Sequence, residues 1–193
     1  MKKFRKQFLA LAAPSGGGKT TLCGKLLEKY PHLSLSISFT TRLPRGSEKD
    51  GVEYNFVSTA EFEKLIREKK LLEYAEVHGN YYGTSKDFLE KQCASGKVVV
   101  LDIDVQGVDS LRAAFGDRCV SIFILPPDIA TLEKRLRQRS TDSEDKIQQR
   151  LKNAVTEMAR AKDFDYQVVN ENLDESFAKL CSIVEQEIGG DIA

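Results

Sequence analysis

The chain has 193 residues, 30% of them charged, with 29 acidic side chains against 29 basic ones. That length fits one domain able to bury a sizeable core, and the charge balance excludes a global field favouring nucleic acid or an anionic membrane. No apolar run approaches the length that spans a bilayer, so anion binding must come from local clusters.

The N-terminus imitates a secretion signal. Met1-Lys2-Lys3-Phe4-Arg5-Lys6 is basic, and Phe8 to Ala13 is apolar with an Ala-x-Ala site at Ala10 to Ala12. The apolar part is only about six residues, short of the ~7–15 a signal needs. Phe8-Leu9-Ala10-Leu11-Ala12 therefore reads as the first core strand of a cytoplasmic protein. Next comes Ala13-Pro14-Ser15-Gly16-Gly17-Gly18-Lys19-Thr20, then a helical pattern from Thr21 to Tyr30 that Pro31 stops. A strand, a glycine-rich turn and a helix N-terminus form a phosphate cradle, where backbone N–H groups and the helix dipole converge on anionic oxygens. Lys19 can reach the outer phosphates of a nucleotide, and the Thr20 hydroxyl can ligate Mg²⁺. Ala13 stands where the motif has its first Gly.

Leu33 to Phe39 alternates apolar and small polar residues and reads as one strand with a wet face. The loop after it carries Arg42 and Arg45, whose guanidinium forks suit phosphate oxygens; taken alone the pair reads as two solvated arginines. Gly51 to Val57 is expected as a short strand, Thr59 to Lys70 as a helix opened by the capping box Ser58-x-x-Glu61, and Leu71 to Val77 as a strand followed by a turn over His78 to Gly83. Residues 38–84 thus form a mixed insertion in an α/β pattern.

That pattern resumes with a helix over Ser85 to Ser95, ended by Gly96. Val98-Val99-Val100-Leu101 is an unbroken apolar run, β-branched at its three valines, with the character of a strand buried on both faces of a parallel sheet. It ends in Asp102-Ile103-Asp104; a carboxylate there can orient a Mg²⁺ shell or a substrate hydroxyl, with Asp104 facing the other way by alternation. Val120 to Leu125 is the next buried strand. Ile129 to Gln138 is a basic helix in which Arg135 and Arg139 share a face and Arg137 lies opposite. A capping box Thr141-x-x-Glu144 opens a further helix bearing Arg150, so the two resemble a closing lid; in isolation they read as a solvated basic face. A strand over Asp165 to Asn170 and a helix over Leu173 to Ile188 complete the chain. Cys23, Cys93, Cys119 and Cys181 are scattered without metal or disulfide spacing, and His32 and His78 read as surface residues.

Five segments in order resemble guanylate kinases of the bacterial type, from Phe8 to Ile188: Ala13 to Thr20, Ser38 to Arg45, Gly79 to Ser85, Leu101 to Gly107, and Ile122 to Pro127. The resemblance implies an α/β fold with a P-loop NTPase-type parallel sheet core, helices on both faces, a mixed α+β GMP-binding insertion (38–84) and a helical lid (126–159); residues 1–37, 85–125 and 160–193 form the core. It implies ATP-dependent phosphorylation of GMP, and of dGMP, with Mg²⁺, by a cytoplasmic monomer or homodimer that binds neither nucleic acid nor membrane. The ATP-binding positions fall on Ala13, Pro14, Ser15, Gly16, Gly17, Gly18, Lys19, Thr20 and Thr21, with Asn170 near the adenine. The GMP phosphate clamp falls on Arg42, Arg45, Tyr54 and Tyr82, the guanine contacts on Ser38, Glu73 and Thr84, and Asp102 lies near the base and, through water, the metal. The lid arginines are Arg135, Arg139 and Arg150, which join Lys19, Arg42 and Arg45 in catalysis. Glu73 can accept both adjacent guanine donors, N1–H and the exocyclic amine, whereas adenine N1 is an acceptor. Ser140 departs from a common Gly at the lid turn. Catalytically inert scaffold modules of the same family have degraded phosphate loops and sit in longer chains; intact Lys19 and Thr20 argue against that alternative. Arg42, Arg45, Glu73 and Tyr82 together argue against another acceptor, and no Asn-Lys-x-Asp motif supports a GTPase.

Overall fold

Strand β1 (Phe8–Ala12) is apolar at every position and at most 1% exposed, which only the centre of a sheet covered on both faces permits. In a computed structural model describing residues 4–52, 54–77, 79–138 and 143–189, it is flanked by β7 (Val98–Asp102) and β8 (Cys119–Leu125), both parallel to it. Outside these lie β2 (Leu33–Leu35) and β9 (Tyr166–Val169), giving a parallel sheet of order β2-β7-β1-β8-β9.

Alternation along β1 sends Leu9 and Leu11 into a cluster with Leu22, Leu26, Leu180 and Val184 from helices α1 (Lys19–Lys29) and α7 (Leu173–Ile188). Phe8 and Ala10 point the other way, to Leu89 of α3 (Lys86–Ala94) and Leu111 of α4 (Val105–Phe115). The expected two-faced α/β core is present. Helices α5 (Ile129–Gln138) and α6 (Glu144–Ala159) pack on each other through Leu132, Leu136, Ile147 and Ala154. No described helix is long and apolar enough to cross a membrane.

A second sheet, β4-β3-β6-β5, is built from β3 (Phe39–Thr40), β4 (Asn55–Phe56), β5 (Leu71–Val77) and β6 (Asn80–Ser85), with α2 (Thr59–Arg67) beside it. The run Leu33 to Phe39 is not one strand but two in different sheets. Ser36 N–H makes the last rung to the Val100 carbonyl at 2.7 Å, and Asn55 then captures the carbonyls of Ile37 (3.0 Å) and Ser38 (2.9 Å) for the second sheet. The strand expected over Gly51 to Val57 shrinks to Asn55–Phe56, because Gly51 and Val52 close a turn with Tyr54 and Lys49. The turn expected over His78 to Gly83 is mostly strand β6, with Asn80 to Gly83 paired to β5; His78 lies outside the described residues. Helix α2 stops at Arg67 because Lys69 takes a left-handed backbone (φ 54°). Its predicted capping box is present: Ser58 Oγ accepts from Glu61 N–H at 3.2 Å, and Glu61 accepts from Ser58 N–H at 2.9 Å.

Helix α4 has no counterpart among the predicted elements. The expected box at Thr141 lies outside the described residues; α6 begins at Glu144, with Ser143 preceding it as its cap, and Glu144 binds Arg137 and Gln148. All four cysteines are free and buried, and burial pushes Cys23, Cys93 and Cys119 up to about 11. His32 lies against the Phe4 ring, 5.9 Å between centroids.

Gly83 sits where β6 crosses β5 most closely: an added Cβ would lie 2.7 Å from the Glu73 carbonyl oxygen and 2.9 Å from Tyr74 Cβ. Gly83→Ala is expected to cost about 2 kcal/mol by overpacking, a fall of roughly 4–8 °C in Tm. Gly24, inside α1 with nothing within 4 Å, serves as the control: Gly24→Ala should gain about 0.5–1 kcal/mol from helix propensity. Thermal unfolding of both variants checks the pair, and a neutral Gly83→Ala would contradict the close approach.

Candidate active site

Leu11 of β1 lies opposite Asp102 of β7, so the loop leaving β1 and the carboxylate ending β7 emerge side by side. The Gly17 N–H returns to the Pro14 carbonyl at 2.8 Å. Gly16 and Gly18 adopt φ of 90° and 93°, and Gly18 caps α1. Lys19, first residue of that helix, pairs its ammonium with Asp102 and lies 3.5 Å from the Ile103 carbonyl. Ala13 to Thr20 line a cavity of about 370 Å³ together with Asp102, Asp104 and Glu157.

Two of those carboxylates were not foreseen in these places. β7 ends at Asp102, so strand alternation no longer governs Asp104, whose side chain caps α4 by accepting from Gly107 N–H at 2.7 Å. Glu157 reaches the cavity from α6. Burial pushes its carboxyl up, Lys19 pulls it down, and Asp104 adds to the rise.

The second sheet gathers another group. The Arg42 guanidinium holds the Glu48 carboxylate in a fork of 2.9 and 3.0 Å and donates to the Leu43 carbonyl at 2.8 Å. It lies 5.3 Å from the centre of the Tyr54 ring, and Tyr54 meets Tyr82 edge-on at 5.9 Å. Glu48, followed by Tyr82, raises the Arg42 pKa. Glu48 also accepts from the Arg45 N–H at 2.7 Å, and the Arg45 side chain is exposed. Arg42, Tyr54 and Tyr82 are thus brought together, with Glu48 an addition that neighbouring charge alone did not signal.

Glu73 and Thr84 are directly opposite in the β5–β6 hairpin. Burial pushes the Glu73 carboxyl above its ordinary value, hydrogen bonding from Thr84 opposes this, and Asp104 adds to the rise. Glu73 and Asp104 line one cavity of about 360 Å³ with Gln106 and Ser110. Asp104 therefore borders both this cavity and the cradle, while Asp102 borders the cradle and not this cavity. Ser38, half-buried, is held at the sheet junction by Asn55.

On the far side of the loop, Arg150 donates to Ser15 Oγ at 3.2 Å. Arg135 donates through Nη2 to the Asn170 carbonyl at 2.9 Å, and its Nη1 is buried with no partner among the described residues. Gly16, Gly18, Thr21, Arg135 and Asn170 line a third cavity of about 360 Å³. Arg137 points away, bound to Glu133 and Glu144. Arg139 and Ser140 lie outside the described residues. No group of three His, Cys, Asp or Glu among the described residues could hold a metal by itself. Thr20 and Asp102 do border one cavity, a donor set suited to Mg²⁺ that keeps waters and takes ligands from phosphates.

The family model described as guanylate kinase matches residues 5–187. A guanylate kinase of Aromatoleum aromaticum is 48% identical over 176 residues, 91% of this chain and 86% of that protein. One of Synechocystis sp. is 48% identical over 181 residues, 94% of each. The crystal structure of guanylate kinase from Anaplasma phagocytophilum superposes with a TM-score of 0.71 at 33% identity, covering 100% of this chain and 90% of that one. With a glycine-loop cavity and a carboxylate-lined cavity sharing Asp104, with the family model matching residues 5–187 and with relatives covered over 86% and 94% of their length, this chain belongs to the guanylate kinase family.

Proposed function

We propose that the protein transfers the γ-phosphoryl group of ATP to GMP, producing ADP and GDP. The observation that carries this is the shared wall: Asp104 borders both the cradle around Lys19 and the cavity around Glu73, so nucleotides bound in the two would be immediate neighbours. In this reading Lys19, Thr20, Thr21 and the loop N–H groups hold the ATP phosphates. Arg42, Arg45, Tyr54 and Tyr82 hold the GMP phosphate. Ser38, Glu73, Thr84 and Asp104 face the guanine, and Asp102 stays with Lys19 and the metal shell.

No covalent intermediate is required. A GMP phosphate oxygen attacks the γ-phosphorus in line as the bond to the ADP oxygen breaks, so the protein's task is to align two polyanions and offset their repulsion. Lys19, Arg42, Arg45, Arg135, Arg139 and Arg150 supply that charge. Mg²⁺, held by the Thr20 hydroxyl and through water by Asp102, would neutralise charge on the outer phosphates. Segments 38–84 and 126–159 would move against the core and exclude water, limiting plain hydrolysis. None of these contacts involves the ribose 2′-hydroxyl, so dGMP should be accepted. Every residue invoked lies on one chain, so a monomer and a homodimer would both work. The buried free thiols suit a reducing compartment, and we infer a cytoplasmic enzyme.

A coupled ADP-release assay with GMP, dGMP, AMP and UMP tests the proposal: turnover is expected on the two guanine nucleotides, and faster turnover on AMP than on GMP would overturn it. Lys19→Ala should lower kcat by about 10²–10³-fold while circular dichroism and Tm report an intact fold; unchanged turnover would remove Lys19 from the reaction. Glu73→Gln, which offers one acceptor and one donor, should erode the preference for GMP over AMP. The same variant has a pH signature. Burial raises the Glu73 pKa in the folded protein above its ordinary value, so the folded state binds the proton more tightly and the charged carboxylate destabilises it. The penalty is absent at acid pH below the ordinary glutamate range and grows as pH rises toward the elevated folded pKa. Glu73→Gln should therefore raise Tm at neutral pH, and the gain should vanish at the acid end of a pH series.

A further inference from the structure

Asn170 follows β9 and is 5% exposed. Its backbone N–H donates to the Leu125 carbonyl at 2.7 Å, and its carbonyl accepts from Arg135 Nη2 at 2.9 Å. Its side-chain Nδ2 donates to the Gly17 carbonyl at 2.9 Å, a buried contact spanning 153 residues of sequence. The side chain is therefore tied to the middle of the phosphate loop. A Cβ at Gly18 would lie 2.1 Å from that same Nδ2, and Gly18 has the positive φ of 93° that favours glycine. The glycine at 18 and the asparagine at 170 thus fit each other.

A trans peptide points its carbonyl and its N–H in opposite directions. Holding the Gly17 carbonyl toward Asn170 turns the Gly18 N–H away from Asn170. Resting on the proposed ATP site, we propose that Asn170 is a positioning residue for the phosphate cradle: it fixes the Gly17–Gly18 peptide so that the Gly18 N–H faces the bound phosphates. It acts through the loop backbone. The Arg135 guanidinium, packed on the Asn170 carbonyl, anchors the strut to α5.

The test separates a phosphate effect from a base effect. Asn170→Asp keeps the shape but sets an oxygen against the Gly17 carbonyl; Asn170→Ala removes the donor without adding charge, should the first variant fail to fold. Calorimetry would measure binding of ATP, inorganic tripolyphosphate and GMP to wild type and both variants, alongside Tm. Losing one well-aimed hydrogen bond to a charged group should weaken ATP and tripolyphosphate by the same factor, about 10–100-fold, with GMP affinity unchanged. Loss of ATP affinity with tripolyphosphate unaffected would overturn the inference and make Asn170 a base contact. Unchanged affinity for both, or a parallel loss of GMP affinity and Tm, would overturn it as well. Wild-type protein binding neither ATP nor tripolyphosphate would instead refute the ATP site itself.

Discussion

A cation beside a glycine-rich cradle needs a counter-charge, and Lys19 has it in Asp102. That pairing follows from the sheet: β1 and β7 are neighbours in register, so the residue opening α1 and the residue ending β7 meet at one edge. The same solution recurs around the site. Arg42 is forked by Glu48, Arg135 is held by the Asn170 carbonyl, and Arg150 donates to Ser15. Cations crowded without partners would repel each other and pay desolvation, so fixed oxygens hold them in place, where the proposed function has phosphates arrive. Phosphate oxygens make stronger charge-assisted hydrogen bonds than carbonyls or hydroxyls do. In the proposed reaction, binding is an exchange of oxygen partners and little of the site need be rebuilt.

The carboxylates give the site its polarity. Glu73 and Asp104 share one cavity, and burial raises Glu73. Two acceptors in a partly dry pocket suit a base edge that donates twice and disfavour one that accepts. The free protein tolerates this strain because Thr84 hydrogen-bonds Glu73 across the hairpin. Gly83, where no side chain fits, lets the two strands approach closely enough for that pairing. In the proposed function, recognition of a base and stability of a hairpin are thus linked through adjacent residues.

Much of this was legible in the sequence where the cause is local. Phe8 to Ala12 and Val98 to Leu101 are apolar without interruption, which only a doubly covered strand explains, and both lie in the centre of the sheet. The cradle is read from eight consecutive residues, and Ser58 with Glu61 sets the start of α2 by contacts three residues apart. What was not legible has distant causes. The alternation from Leu33 to Phe39 continues unbroken; the switch between sheets is imposed by Asn55, eighteen residues from Ile37. Asp104 escaped because alternation was extended past the true end of β7, and with it α4 was missed. Glu157 comes to the cradle from a helix whose register nothing nearby in sequence announces. The fork between Arg42 and Glu48 needed the turn at Gly46 to 49 to be seen in three dimensions.

The most direct measurement is a crystal structure of the protein with GMP and a non-hydrolysable ATP analogue bound, read at Lys19 Nζ. The account predicts that Nζ has left Asp102 and lies about 3 Å from a β- or γ-phosphate oxygen, with the GMP phosphate facing it. Lys19 still paired with Asp102, and phosphates seated elsewhere, would contradict it.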